Sequence, residues 1–268
     1  MFSQPIYHFL PLHRIHIRYS SSSTRWIARK QSDRFTKQAA RQNYRARSTY
    51  KLIELDLKYK IIKKGNVAID CGAAPGGWSQ YIAERVFGEI DSQKDCNEKQ
   101  RRTAKSKIDV QFDEEEVTEE KNDFSKQQDV QNGLVIAVDL CPIEPISGVN
   151  VIQGDITEHK TIDKIKALLG NRKANAIFSD MAPNFSGKHL VDHMQSMDLC
   201  EAALSLAQET LGPGGTFLCK FLMGENDKEL RTKLERKFRK VLYKKPEASR
   251  KESSEGYFVC LMYSSDAE

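Results

Sequence analysis

Short apolar runs recur along this chain, with helix-like segments between most of them. The runs are "VAID", "LVIAVDL", "VNVIQGD", "ANAIFSD", "GTFLCKFL", "KVLYKK" and "GYFVCLMY". Each is too short for a helix and has the length of a buried strand. Helices are expected over 34–59, in "GWSQYIAERVF", and over 160–169, 193–211 and 227–239. In the first of these, Tyr50, Ile53 and Leu57 should share the buried face. Strands alternating with helices imply right-handed crossovers and an open, mostly parallel sheet. Only 246–255 separate the last two runs, so these should pair as an antiparallel hairpin. The expectation is an α/β fold with seven strands, one of them reversed.

Residues 89–132 break the alternation. They hold thirteen acidic and eight basic residues and few apolar ones, so a flexible charged insertion is expected there. The rest of the chain therefore carries a net charge of +10, concentrated at 25–64 and 228–251. That distribution suits a polyanionic partner, although a solvated surface gives the same pattern. Six scattered cysteines form no C-x-x-C pair and no zinc-spaced cluster, which points to a reduced compartment and no metal. Cys71, Cys200, Cys219 and Cys260 stand in apolar surroundings, as small hydrophobes do. No apolar stretch approaches the roughly 20 residues of a membrane span.

The first 32 residues contain no Asp or Glu but carry Arg14, Arg18, Arg25, Arg29 and the serine tract 20–23. This composition is that of a mitochondrial transit peptide, expected over about 1–20 and followed by a basic linker at 21–33. A retained basic arm that touches nucleic acid is the other reading. The folded domain should span 34–263, with 264–268 as a tail.

In sheets of this kind ligands bind beyond the carboxyl ends of the strands. Asp70, Asp139, Asp155, Asp180 and Lys220 stand at or just past such ends. "DCGAAPGGWSQ" turns from strand to helix with Gly76 and Gly77 at the bend, where bare backbone lets a ligand approach closely. The turn lacks both G-x-G-x-x-G and G-K-[ST], which argues against a dinucleotide and against a triphosphate. The Asp139 carboxylate could accept from both ribose hydroxyls, and Asp155 from an adenine amine. A phosphate-free nucleoside with a small zwitterionic tail suits the set, and S-adenosylmethionine is one. Plain tight turns and helix-capping aspartates remain the alternative. Lys220 is unexpected within the otherwise apolar "GTFLCKFL".

"DCGAAPGGWSQ", "SDMAPNFSG", "LGPGGTFLCKF" and "RARSTYKLIELDLKYKIIKKG" together resemble the FtsJ/RrmJ-type ribose 2′-O-methyltransferases of large-subunit ribosomal RNA. With its acid-free terminus the chain looks most like the mitochondrial members that act on uridine. The resemblance covers about 34–88 and 133–263. It implies a Rossmann-like S-adenosylmethionine-dependent methyltransferase fold and a Lys51, Asp180, Lys220, Glu255 tetrad, with Lys220 as proton acceptor. Gly76, Gly77, Trp78, Asp139, Asp155 and Asp180 would contact the cofactor, although Trp78 could equally be core. The glycine after Glu255 departs from the family's pattern.

A ribose hydroxyl must be aligned opposite the sulfonium and relieved of its proton. Lys220 could take that proton, with Lys51 as a second cation and the carboxylates orienting the pair. The implied partner is mitochondrial large-subunit rRNA or the pre-ribosomal subunit, bound through "RQNYRARS", "KYKIIKK" and "YKKPEASRK" by phosphate contacts and shape, with the protein a monomer. Transfer RNA, a messenger cap, or non-catalytic RNA binding during ribosome assembly are the rival readings.

Overall fold

The computed structural model describes residues 33–88 and 133–265. The insertion, the acid-free segment and the last three residues lie outside this range. Seven strands form one sheet: β1 Val67–Cys71, β2 Leu134–Asp139, β3 Val149–Gln153, β4 Ala174–Ser179, β5 Leu211–Leu222, β6 Phe238–Lys244 and β7 Glu255–Tyr263. Their order is β3-β2-β1-β4-β5-β7-β6. All neighbouring pairs are parallel except β7, which runs against both β5 and β6. The expected reversed strand and closing hairpin are both present. Chain order reverses at β1, so the glycine loop that follows it sits at the topological switch point.

Alternate residues of each strand feed two apolar layers. Ile69, Ile136, Ile177, Phe217, Cys219 and Cys260 face α4 His159–Leu169, α5 His189–Thr210 and α6 Asp227–Glu235. Ala68, Val135, Leu218, Tyr257 and Val259 face α2 Thr49–Tyr59 and α3 Gly77–Phe87. Cys71, Cys200, Cys219 and Cys260 are buried free thiols, as their surroundings suggested.

The expected helix over 34–59 is two helices. α1 Arg34–Arg41 opens on Asp33, whose carboxylate accepts from the Thr36 N–H, and a connection at 42–48 leads into α2. Asn43 adopts φ +57°, a left-handed turn that Asn tolerates and a helix does not. The buried face of α2 also differs from the expectation, because Leu57 is 70% exposed. Leu52 and Leu55 fill the core, and the neighbouring place goes to Asp56, which is 2% exposed. Its carboxylate accepts from the Ile62 N–H (2.8 Å) and the Tyr81 hydroxyl (2.7 Å) and pairs with Arg85, and those bonds offset its desolvation. α5 starts four residues before the expected 193, because exposed Leu190 and Val191 blur the amphipathic pattern of its first turn. α6 stops at Glu235 because Phe238 already belongs to β6, where it stacks on Phe217.

Candidate active site

Register brings the chemistry together. Cys71 lies beside Ser179, and Ser179 beside Cys219, so Asp70, Asp180 and Lys220 meet at the carboxyl ends of three adjacent strands. Across the antiparallel pair, Lys220 stands opposite Tyr257 and Leu222 opposite Glu255. Period-two alternation sends Tyr257 and Glu255 to the α2 side of the sheet. There Lys51, on the inward face of α2, forms an ion pair with Glu255 at 2.6 Å. Lys220 Nζ lies 3.1 Å from Asp180 Oδ1 and also donates to the Asp180 carbonyl. The four expected tetrad residues are thus two lysine–carboxylate pairs, each side chain only 10–16% exposed.

Tyr257 joins the pairs, and the sequence reading did not single it out. Its hydroxyl donates to Asp180 Oδ1 at 2.7 Å, and Lys51 Nζ lies 5.7 Å from its ring centroid. Burial first, then the Asp180 charge, push the phenol's pKa well above its usual value, so the ring keeps its proton and acts as a donor. The available signal was its place two residues after Glu255, on the same face of a strand.

Trp78 takes the core place that was its other reading. Its indole is 2% exposed, stacks on Tyr257 at 6.1 Å, and donates from Nε1 to the Ser48 carbonyl at 2.9 Å. The side chain belongs to the core beneath the tetrad, so only its backbone can face a ligand.

The glycine loop is shaped by the protein's own packing as well. Gly76 has φ +108°, and a Cβ there would lie 2.6 Å from the Ile146 side chain; one at Gly77 would lie 2.5 Å from Thr49 Oγ1. Both positions are therefore closed to larger residues without invoking a ligand. Arg45, read from sequence as part of an RNA-binding stretch, docks here. Its guanidinium donates to the carbonyls of Pro75 (3.2 Å), Glu144 (2.7 Å) and Pro145 (2.8 Å), tying the glycine loop to the loop after β2.

The carboxylates fit a cationic nucleoside. Asp139 is fixed by the N–H groups of Ala74 and Cys141, both at 2.8 Å, one to each oxygen. Each oxygen retains a second lone pair for a ribose hydroxyl. Asp155 Oδ1 accepts from the Thr157 N–H and hydroxyl, organising the turn before α4, while Oδ2 takes no part in those bonds. Asp155 is not the helix cap, because Glu158 holds that position. Asp70 is fully buried. Its Oδ2 accepts from Ser79 Oγ at 2.6 Å, and its Oδ1 has no partner among the described residues. Burial first, then the charges of Asp180 and Asp139 against the Ser79 bond, push its pKa up to about 7. The negative charge that Asp70, Asp139 and Asp180 gather at this end of the sheet suits a ligand carrying ammonium and sulfonium charges.

Residues 44–263 match the FtsJ-like methyltransferase family. The chain belongs to that family. It is 37% identical over 240 residues to the ribosomal RNA large subunit methyltransferase E of Chromohalobacter salexigens, covering 90% of this chain and 94% of that protein. The protein of the same name from a Wolbachia species is 36% identical over 246 residues, covering 92% and 91%. A crystal structure described as a ribosomal RNA methyltransferase from Plasmodium falciparum aligns with TM-score 0.60 and 27% identity, covering 82% of this chain and 98% of that one. As an FtsJ-like methyltransferase the protein uses S-adenosylmethionine, which when bound supplies an electrophilic methyl group on a sulfonium. Asp139, Asp155 and the backbone of the glycine loop are the residues that would hold it.

Proposed function

We propose that this protein methylates a ribose 2′-hydroxyl, that of a uridine, in mitochondrial large-subunit rRNA, acting during assembly of the subunit. The observation that carries the reading is the meeting of Lys220–Asp180 and Lys51–Glu255 around Tyr257, beside the glycine loop. An alcohol acceptor needs alignment and a place for its proton, and this arrangement offers both. As a base Lys220 acts in its amine form, with two N–H groups and one lone pair. The Asp180 carbonyl and carboxylate accept the two N–H groups, which leaves the lone pair to take the hydroxyl proton as the oxygen bonds to the methyl group. Asp180 is held in turn by Tyr257, so the lysine's orientation is set by a buried hydrogen bond.

The rRNA assignment draws support from the relatives named for large-subunit rRNA and from the basic segments bordering the tetrad. The mitochondrial assignment draws support from the acid-free, arginine- and serine-rich composition of residues 1–32, of which about the first 20 would be removed on import. Mapping 2′-O-methylation on mitochondrial large-subunit rRNA, with and without the protein, tests the whole reading. One methylated uridine should disappear with the protein; an unchanged map overturns the assignment.

A further inference from the structure

The 42–48 connection and the turn between β6 and β7 face each other across a cavity of about 390 Å³. Arg47, Ser48 and Lys51 line one side; Arg250, Ser253 and Glu255 line the other. It therefore opens directly onto the Lys51–Glu255 pair, and no residue of the glycine loop lines it. Lys51 is neutralised by Glu255. Arg47 is held in place by Asp33 at 2.9 Å and by the Ala248 carbonyl at 2.6 Å, and its Nε is buried without a partner among the described residues. The Arg250 guanidinium has neither an ion-pair nor a hydrogen-bond partner among the described residues. Burial, and then the nearby Arg250 charge, lower the Arg47 pKa against the opposing pull of Asp33. Two guanidinium groups thus share one cavity with a single carboxylate committed to them. Glu252, the remaining acid, is exposed at the rim. The Ser48 hydroxyl does not cap α2 and is available as a donor.

We propose that this cavity is a phosphodiester subsite, in which Arg250 and the Ser48 hydroxyl hold a backbone phosphate next to the ribose presented to Lys220. This rests on the RNA reading above. A cavity with uncompensated guanidinium charge and a free hydroxyl donor matches an oxyanion carrying several acceptor oxygens. Phosphates carry no sequence information, but they fix register. A phosphate seated beside Lys51 is covalently tied to the neighbouring ribose, and so limits where the 2′-hydroxyl can lie. The contact serves positioning of the RNA and makes no demand on the cofactor.

The test uses the full chain with large ribosomal subunits isolated from cells that lack it. Arg250→Ala should raise KM for those subunits about tenfold while leaving kcat at saturation within about twofold. The slope of log affinity against log salt should fall by about one, and calorimetric affinity for S-adenosylmethionine should be unchanged. Arg250→Lys should restore the salt slope, because a phosphate responds to charge; a purely structural arginine would move neither quantity. An Arg250→Ala protein with unchanged KM and salt slope overturns the subsite. So does one that loses cofactor affinity in parallel. Subunits that the wild-type protein neither binds nor methylates overturn the RNA reading beneath it.

Discussion

The Asp70 carboxylate is sealed from solvent, with one oxygen on Ser79 and the other unpartnered, and its pKa is pushed up to about 7 from an ordinary 3.8. A folded-state value above the unfolded one means that the folded protein holds the proton more tightly. The stability this gives is complete below about pH 4 and is lost as pH rises through about 7. Asp70→Asn keeps an acceptor for Ser79 and removes the titration. The cofactor-free variant should therefore melt higher than wild type at pH 8, by an amount that shrinks toward pH 5; an equal change at both pH values refutes this. Affinity for S-adenosylmethionine should meanwhile fall, because a negative charge beneath the cationic cofactor is gone. Asp139→Ala should weaken that affinity by about 1–3 kcal/mol, the range for losing a charged hydrogen-bond partner. An unchanged dissociation constant by calorimetry would remove Asp139 from the site. Lys220 lies on the acceptor side of the reaction, so Lys220→Ala should lower methyl transfer by at least about 100-fold with cofactor affinity preserved. Near-normal turnover on the authentic RNA would show that another group takes the proton.

The connection between α1 and α2 shows what one short element can hold in common. Within three residues it sends Arg45 to the glycine loop and Arg47 to the β6–β7 turn, and α2 then carries Lys51 to Glu255. From sequence Arg45 and Arg47 belong to one basic stretch, and their division between cofactor loop and substrate side was not legible, whereas the resemblance already placed Lys51 in the tetrad. A long side chain takes its partner from what the fold brings near it, and no local pattern encodes that. The central strands and the residues at their ends were legible, because burial on both faces leaves a continuous apolar run and the ligand crevice follows from topology. Leu57 was misplaced for a related reason: which face of a helix is covered depends on neighbours distant in sequence. The division of roles is testable. Arg45→Ala removes three carbonyl contacts that hold two walls of the cofactor crevice, and should raise the S-adenosylmethionine dissociation constant about tenfold, or roughly 1.4 kcal/mol. KM for RNA and its salt dependence should not move, in contrast to Arg250→Ala. A changed salt slope with intact cofactor affinity would return Arg45 to the RNA-binding surface.

At the scale of the molecule, the seven strands and their flanking helices make one sheet with a core on each face, and residues 89–132 enter it between α3 and β2. The segment itself lies outside the described residues, but the chain on either side of it is informative. α3 ends at Phe87, and β2 begins at Leu134, whose N–H donates to the Asn66 carbonyl at 3.1 Å. Gly133 abuts the last turn of α3 so closely that a Cβ there would lie 2.4 Å from Val86 and 3.2 Å from Phe87. The described chain on the two sides of the insertion is therefore in contact, and joining Gly88 to Gly133 needs only a short turn. The junction lies at the amino end of β2, opposite the carboxyl-end crevice that holds Asp139. A net charge of −5 over these residues would also oppose RNA if it lay near the substrate. Replacing 89–132 with a Gly-containing turn should thus preserve the fold, cofactor affinity and methyl transfer. Loop-closure entropy favours the shorter connection, so the melting temperature should hold or rise. Calorimetry, thermal unfolding and a methylation assay on the shortened protein decide the matter. Lost activity with cofactor affinity and melting temperature intact would mean that the insertion reaches the RNA or the ribosome, despite leaving the sheet on the far rim.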